Sequence, residues 1–189
     1  MGPSRGGGSL AMSPRDAVRA LDDLGASDCA ERLRHCCGST RWVEAMVAAR
    51  PFETLERSSD LATRIWWGLG RDDWLEAFNA HPRIGDLDAL RQRYAAQDKR
   101  WSQGEQGAVA GAAESVLEAL AEGNRVYEER FGHLFIVCAT GKGAEDMLAI
   151  LQRRLANDPD DEWNIAAGEQ LAITHLRLEK LLREVTNHE

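Results

Sequence analysis

A histidine followed by a proline is where proton chemistry can sit in this sequence. His81 stands in Asn79-Ala80-His81-Pro82-Arg83-Ile84-Gly85-Asp86. Histidine has the ordinary pKa closest to neutrality, so it takes or gives a proton under mild conditions. Pro82 has no backbone N–H and biases His81 out of helical geometry. A helix carrying Trp74, Leu75 and Phe78 should therefore stop near Ala80, leaving the His81 ring at a helix end where it can point into a cavity. A histidine that merely fills a turn has the same local signature, so the weight rests on what lies downstream.

Three further stretches carry polar chemistry. Trp101-Ser102-Gln103-Gly104-Glu105-Gln106 has Ser and Glu at capping-box spacing. It can simply start a helix, yet a helix N-terminus also gathers N–H donors and a positive dipole end that favour a polar ligand. Phe135-Ile136-Val137-Cys138 is an apolar run between glycines. An extended backbone there leaves N–H and C=O groups that need partners, either neighbouring helices or an amide-like ligand. Arg177 lies three and four positions after Thr174 and Ile173 on a helical face. It can clamp a carboxylate with a two-pronged hydrogen bond, or snorkel to solvent. His133 and His175 have no metal-ligand spacing around them and are read as structural.

The elements that would hold these residues are helical. Arg15–Leu24 runs to Gly25. A second helix, capped by Ser27 or Asp28, runs to Cys37, and a third, capped by Ser39 or Thr40, ends at Pro51. Helical spacing continues through Glu53–Leu69, Arg71–Ala80, Leu87–Asp98 and Ser102–Leu120. Gly123 is expected to break the chain before a short helix over Asn124–Arg130. Gly143–Leu155 and a long helix from Pro159 or Asp161 to Val185 complete the set. With no set of strands to pair, Phe135–Cys138 is expected to be buried extended backbone inside helices. The fold class is all-α: one compact domain of about eight or nine helices over 14–186, behind a flexible Gly/Ser/Pro-rich tail at 1–13.

The whole composition limits the function classes. The chain has 189 residues, net charge −8 and pI about 5.2, which argues against general binding to nucleic acid or an anionic membrane. No apolar run approaches the roughly 18–20 residues of a membrane span, and Met1–Ser13 has no apolar signal core. Cys29, Cys36, Cys37 and Cys138 form no C-x-x-C pair, so reduced thiols in a cytoplasmic protein are expected. A homodimer would be one way to cover an apolar helical face, though the sequence does not say which.

His81-Pro82-x-x-Gly85, Ser102-x-x-Glu105-Gln106, Asn124-x-x-Tyr127-x-x-x-Phe131-Gly132, Phe135-Ile136-Val137-Cys138-Ala139 and the Arg177 helix occur in that order. As an ordered set they resemble the 2-oxo-4-hydroxy-4-carboxy-5-ureidoimidazoline (OHCU) decarboxylases of urate breakdown, over roughly Leu21 to Leu182. The resemblance implies an all-helical, cofactor-free enzyme that uses no metal and makes (S)-allantoin from OHCU. It puts the catalytic residues on His81 and Glu105. It puts substrate contacts on Pro82, Ser102, Gln106 and Arg177, with backbone contacts at Phe135 and Val137. Which of His81 and Glu105 delivers the stereospecific proton stays open. A helical domain that binds a ureide or purine-related metabolite without turning it over would keep the same residues.

Overall fold

A computed structural model describes residues 14–83, 87–95 and 106–185. The tail at 1–13, Gly85, Ser102, Glu105 and the last four residues lie outside that description. The described residues form nine α-helices and no strand, so the chain is all-α as its periodicity implies. They divide into two compact units, one reaching to Leu69 and resuming at Thr174, the other spanning Gly70–Ile173.

The first unit contains α1 (Pro14–Asp22), α2 (Ala26–Arg34), α3 (Thr40–Ala48), α4 (Leu55–Trp67) and the end of α9 (Pro159–Val185). Here α2 packs on α3, and α4 packs on both α3 and α1. The buried side of α3 is Trp42, Val43 and Met46, at helical spacing. Ser39 is its cap, accepting the Trp42 N–H at 3.3 Å. α2 starts earlier than the expected Ser27 or Asp28 cap: Gly25 is the N-cap, without a side-chain bond. The Trp42 indole N–H reaches the Ala62 carbonyl at 3.2 Å, so the largest side chain of α3 is bonded as well as buried.

The second unit contains α5 (Arg71–Asn79), α6 (Leu87–Ala95), α7 (Gln106–Phe131), α8 (Ala144–Arg154) and the first part of α9. Its core joins Leu90 and Tyr94 of α6, Leu117, Leu120, Tyr127 and Phe131 of α7, and Met147 and Leu151 of α8. Phe135 and Val137, which lie between α7 and α8, complete it. The expected break at Gly123 does not occur: α7 runs 26 residues without interruption, and Asn124 lies within it. The reason is packing. A Cβ built on Gly123 would come within 2.7 Å of Leu151 Cδ2, so the glycine lets α8 approach α7 closely. Its side of the helix is a contact surface, and its lack of a side chain is not a stop signal.

Candidate active site

α5 ends where Pro82 requires. Ala80 is its C-cap, and the His81 N–H closes the last turn on the Phe78 carbonyl at 3.0 Å. The His81 ring then turns to α9, where its Nε2 lies 2.6 Å from Oε1 of Gln170. Gln170 is fully buried. Pro82 is exposed and follows immediately.

The stretch from Leu134 to Ala139 is neither helix nor strand, and Phe135, Ile136 and Val137 are buried. Buried backbone of this kind must be paired. The Ile136 carbonyl accepts from Arg154 Nη1 at 2.7 Å. The Cys138 N–H donates to Glu169 Oε2 at 2.7 Å, and the Cys138 carbonyl accepts from Lys142 Nζ at 2.6 Å. No such partner is found among the described residues for the backbone of Phe135 or Val137. Protein groups thus take up the backbone of Ile136 and Cys138, and the Ala139 carbonyl accepts from the Lys142 N–H at 3.1 Å.

Arg154 does more than hold Ile136. Its Nε donates to Glu162 Oε1 at 2.7 Å, and its Nη2 donates to the Tyr127 hydroxyl at 3.2 Å. Tyr127 in turn donates to Glu162, and Asn157 Nδ2 donates to the other Glu162 oxygen at 2.6 Å. Arg154 and Glu162 are both buried, so each charge is compensated by the other and by neutral donors and acceptors. Burial pushes the Tyr127 hydroxyl above its ordinary pKa, keeping it a donor. From the sequence these residues look like ordinary charges at helix ends, because Arg154 closes α8 and Glu162 falls in the first turn of α9.

The other expected site residues are distributed as follows. Gln106 is the first described residue of α7, in the same unit as His81, Phe135 and Val137. Arg177 belongs to the part of α9 that falls in the first unit. It is exposed, whereas Thr174, expected on the same face, is buried. Within its unit Arg177 acts on Cys36. Burial pushes that thiol up to about 12, the neighbouring Cys37 adds to the rise, and Arg177 opposes it. His175 Nε2 lies 3.0 Å from Thr63 Oγ1. Among the described residues no group of three or more His, Cys, Asp or Glu side chains is placed to hold a metal ion. None of the described helices is long and apolar enough to cross a membrane.

The sequence reading missed Glu169 and Gln170, two adjacent residues of α9 that grip the Cys138 amide and the His81 ring. One signal for them existed. They are a polar pair inside Ile165-Ala166-Ala167-Gly168-Glu169-Gln170-Leu171, where the surrounding pattern is that of a core face.

A model of the OHCU decarboxylase family matches residues 22–179. The chain belongs to the OHCU decarboxylase family. It is 39% identical over 153 residues to the uric acid degradation bifunctional protein of Arabidopsis thaliana, covering 79% of this chain and 46% of that one. It is 30% identical over 138 residues to the mouse 2-oxo-4-hydroxy-4-carboxy-5-ureidoimidazoline decarboxylase, covering 73% of this chain and 76% of that one. The chain thus spans about half the length of the Arabidopsis relative. Among solved structures, an OHCU decarboxylase crystallised in the presence of (S)-allantoin aligns with a TM-score of 0.65 at 36% identity, over 80% of this chain and 97% of that one. An (S)-allantoin synthase at 20% identity, with a TM-score of 0.63, shares the fold. The His81 end of α5, the 134–139 stretch and Arg177 all lie inside the family match.

Proposed function

We propose that this chain decarboxylates OHCU to (S)-allantoin without a cofactor, with His81 and Glu105 as its catalytic residues. The observation that carries the reading is the pairing of His81 with a buried extended segment. A ring able to move a proton is held by Gln170 of α9, and the preceding residue, Glu169, holds the Cys138 amide of a segment in which the Phe135 and Val137 amides have no partner among the described residues and can serve a ligand. The OHCU decarboxylase crystallised with (S)-allantoin, similar over most of this chain, supports the substrate class.

The chemistry suits such a site. OHCU carries its carboxylate on a carbon next to a C=N bond. When the C–C bond to the carboxylate breaks, its electron pair moves into that C=N, so the substrate is its own electron sink. CO2 leaves, and one proton delivered to one face sets the S configuration. The protein must hold the carboxylate out of the ring plane, stabilise the enol-like intermediate and control that proton. In this scheme Arg177 clamps the carboxylate, while Ser102, Gln106 and the Phe135 and Val137 amides hold the ureido and ring amide groups. Pro82 shapes the edge beside His81.

The test uses freshly generated OHCU followed by ultraviolet absorbance and circular dichroism. Spontaneous decay gives racemic allantoin, so a protein-dependent excess of the S enantiomer marks catalysis. His81→Asn keeps polarity and approximate size but removes proton transfer near neutrality, and general acid–base catalysis contributes about 10²–10⁴-fold. The expected result is a kcat at least about a hundredfold lower with helical circular dichroism retained. A folded variant that makes (S)-allantoin at close to the wild-type rate would remove His81 from the mechanism.

A further inference from the structure

We infer that Gln170 is a positioning residue for His81: its side-chain oxygen holds the ring proton on Nε2, so that Nδ1 is the nitrogen that exchanges a proton with substrate. This rests on the proposed role of His81. Gln170 is fully buried, in the stretch of α9 that also buries Ala166, Ala167 and Leu171. A buried amide is costly unless it is hydrogen-bonded. Its Oε1 lies 2.6 Å from His81 Nε2, at the short end of the N–H···O range. An amide oxygen can only accept, so the N–H is on Nε2, and the lone pair of the neutral ring falls on Nδ1.

A second observation separates this from simple filling of space. Glu169, the preceding residue, takes the Cys138 N–H at 2.7 Å. Successive residues of one helix therefore grip the His81 ring and the extended segment. Along a helix their separation is fixed at about 1.5 Å of rise per residue. The ring is thereby set at a constant height against the Phe135 and Val137 amides.

The experiment compares wild type, Gln170→Leu and Gln170→Glu. Leucine keeps the approximate volume and removes the acceptor, whereas glutamate keeps an acceptor oxygen. The first readout is nitrogen-15 NMR of the histidine rings, with the His81 signals identified by their loss in His81→Asn. Neutral wild-type His81 should carry its proton on Nε2. Gln170→Leu should show a mixture of tautomers, and Gln170→Glu should restore the Nε2–H form. The second readout is turnover. Partners that orient a metal-bound histidine through its other nitrogen are worth about 10–100-fold; with the same range carried over to the His81 ring, Gln170→Leu should lower kcat by that factor and leave KM within about twofold. A wild-type ring protonated on Nδ1, or a folded Gln170→Leu with wild-type kcat, overturns the inference. If Gln170→Leu fails to fold, the wild-type spectrum still decides the tautomer. If wild type makes no (S)-allantoin at all, the functional reading fails, while the NMR result still decides what Gln170 does to the ring.

Discussion

His133 illustrates how far a single residue can be read from its surroundings. Its ring lies among Trp163, Phe78, Tyr127 and Phe131, with centroids 4.5, 5.2, 5.5 and 6.3 Å away. Its Nδ1–H donates to the Leu134 carbonyl at 2.9 Å, while the buried Nε2 has no hydrogen-bond partner among the described residues. Protonation would put a second N–H where no described group accepts it. Burial accordingly pulls the pKa below the ordinary value, outweighing the Leu134 carbonyl and Glu162, which raise it. The unfolded chain binds that proton near its ordinary pKa of about 6.5, while the folded chain resists it. The stability held by neutral His133 is therefore present above about pH 6.5 and is lost as pH falls through the folded value. His175 shifts in the same direction, mainly by burial, and adds to the same limb. The expected outcome is that His133→Phe loses less stability than wild type between pH 7.5 and 5.5, measured as denaturant midpoints at both values. Equal losses in the two proteins would mean that His133 does not titrate with unfolding. At this scale His81 was legible because Pro82 forces a helix end beside it. Gln170 was harder to read, because its one local signal, a polar pair inside an apolar stretch of a 27-residue helix, does not say which group it bonds.

At the scale of the element, α7 is where sequence punctuation misleads. Glycine costs a helix about 1 kcal/mol relative to alanine, so Gly123→Ala should stabilise α7 if propensity alone decided. The added Cβ would meet Leu151 Cδ2 at 2.7 Å and Cγ at 3.3 Å. Leu151 is fully buried and packs in the same core as Met147, so it has no open space to turn into. Overpacking of this kind costs about 1–3 kcal/mol. Steric cost therefore outweighs propensity, and Gly123→Ala should lower unfolding stability by roughly 1 kcal/mol. In a Leu151→Ala background the same substitution should become neutral or stabilising, since the clashing atoms are gone. Denaturant midpoints of the four proteins in that cycle test it. A stabilised single variant would mean that α8 can shift away from α7 cheaply. Helix ends set by Ser39, Pro51 and Pro82 could be read locally because caps and prolines act on their own backbone. Gly123 could not, since its meaning lies in a residue 28 positions later that only the packed pair reveals.

For the molecule as a whole, the family match from 22 to 179 runs through both compact units, and α9 is the element they share. The helix buries Ala166, Ala167, Gln170 and Leu171 in the second unit, then Leu178, Leu181 and Leu182 in the first. The division falls between Ile173 and Thr174, with no break in the helix. Its 27-residue apolar pattern made its existence legible, but periodicity cannot say that one stripe serves two cores. Ala172 offers a way to test that arrangement, because it is exposed and its substitution removes no buried side chain. A proline there deletes the bond from residue 172 to the carbonyl of Gly168 and clashes with that turn, at about 3 kcal/mol or more in a helix interior. Ala172→Pro should therefore weaken both units. Amide hydrogen exchange should speed up in α2 to α4 as well as in α7 and α8, and the two sets of amides should lose protection together. Loss confined to Gly70–Ile173, with wild-type protection kept in α2 to α4 and around Leu178–Leu182, would mean that the first unit holds its share of α9 independently. That result would separate the stability of Arg177, at the first-unit end of the helix, from that of His81 and Gln170.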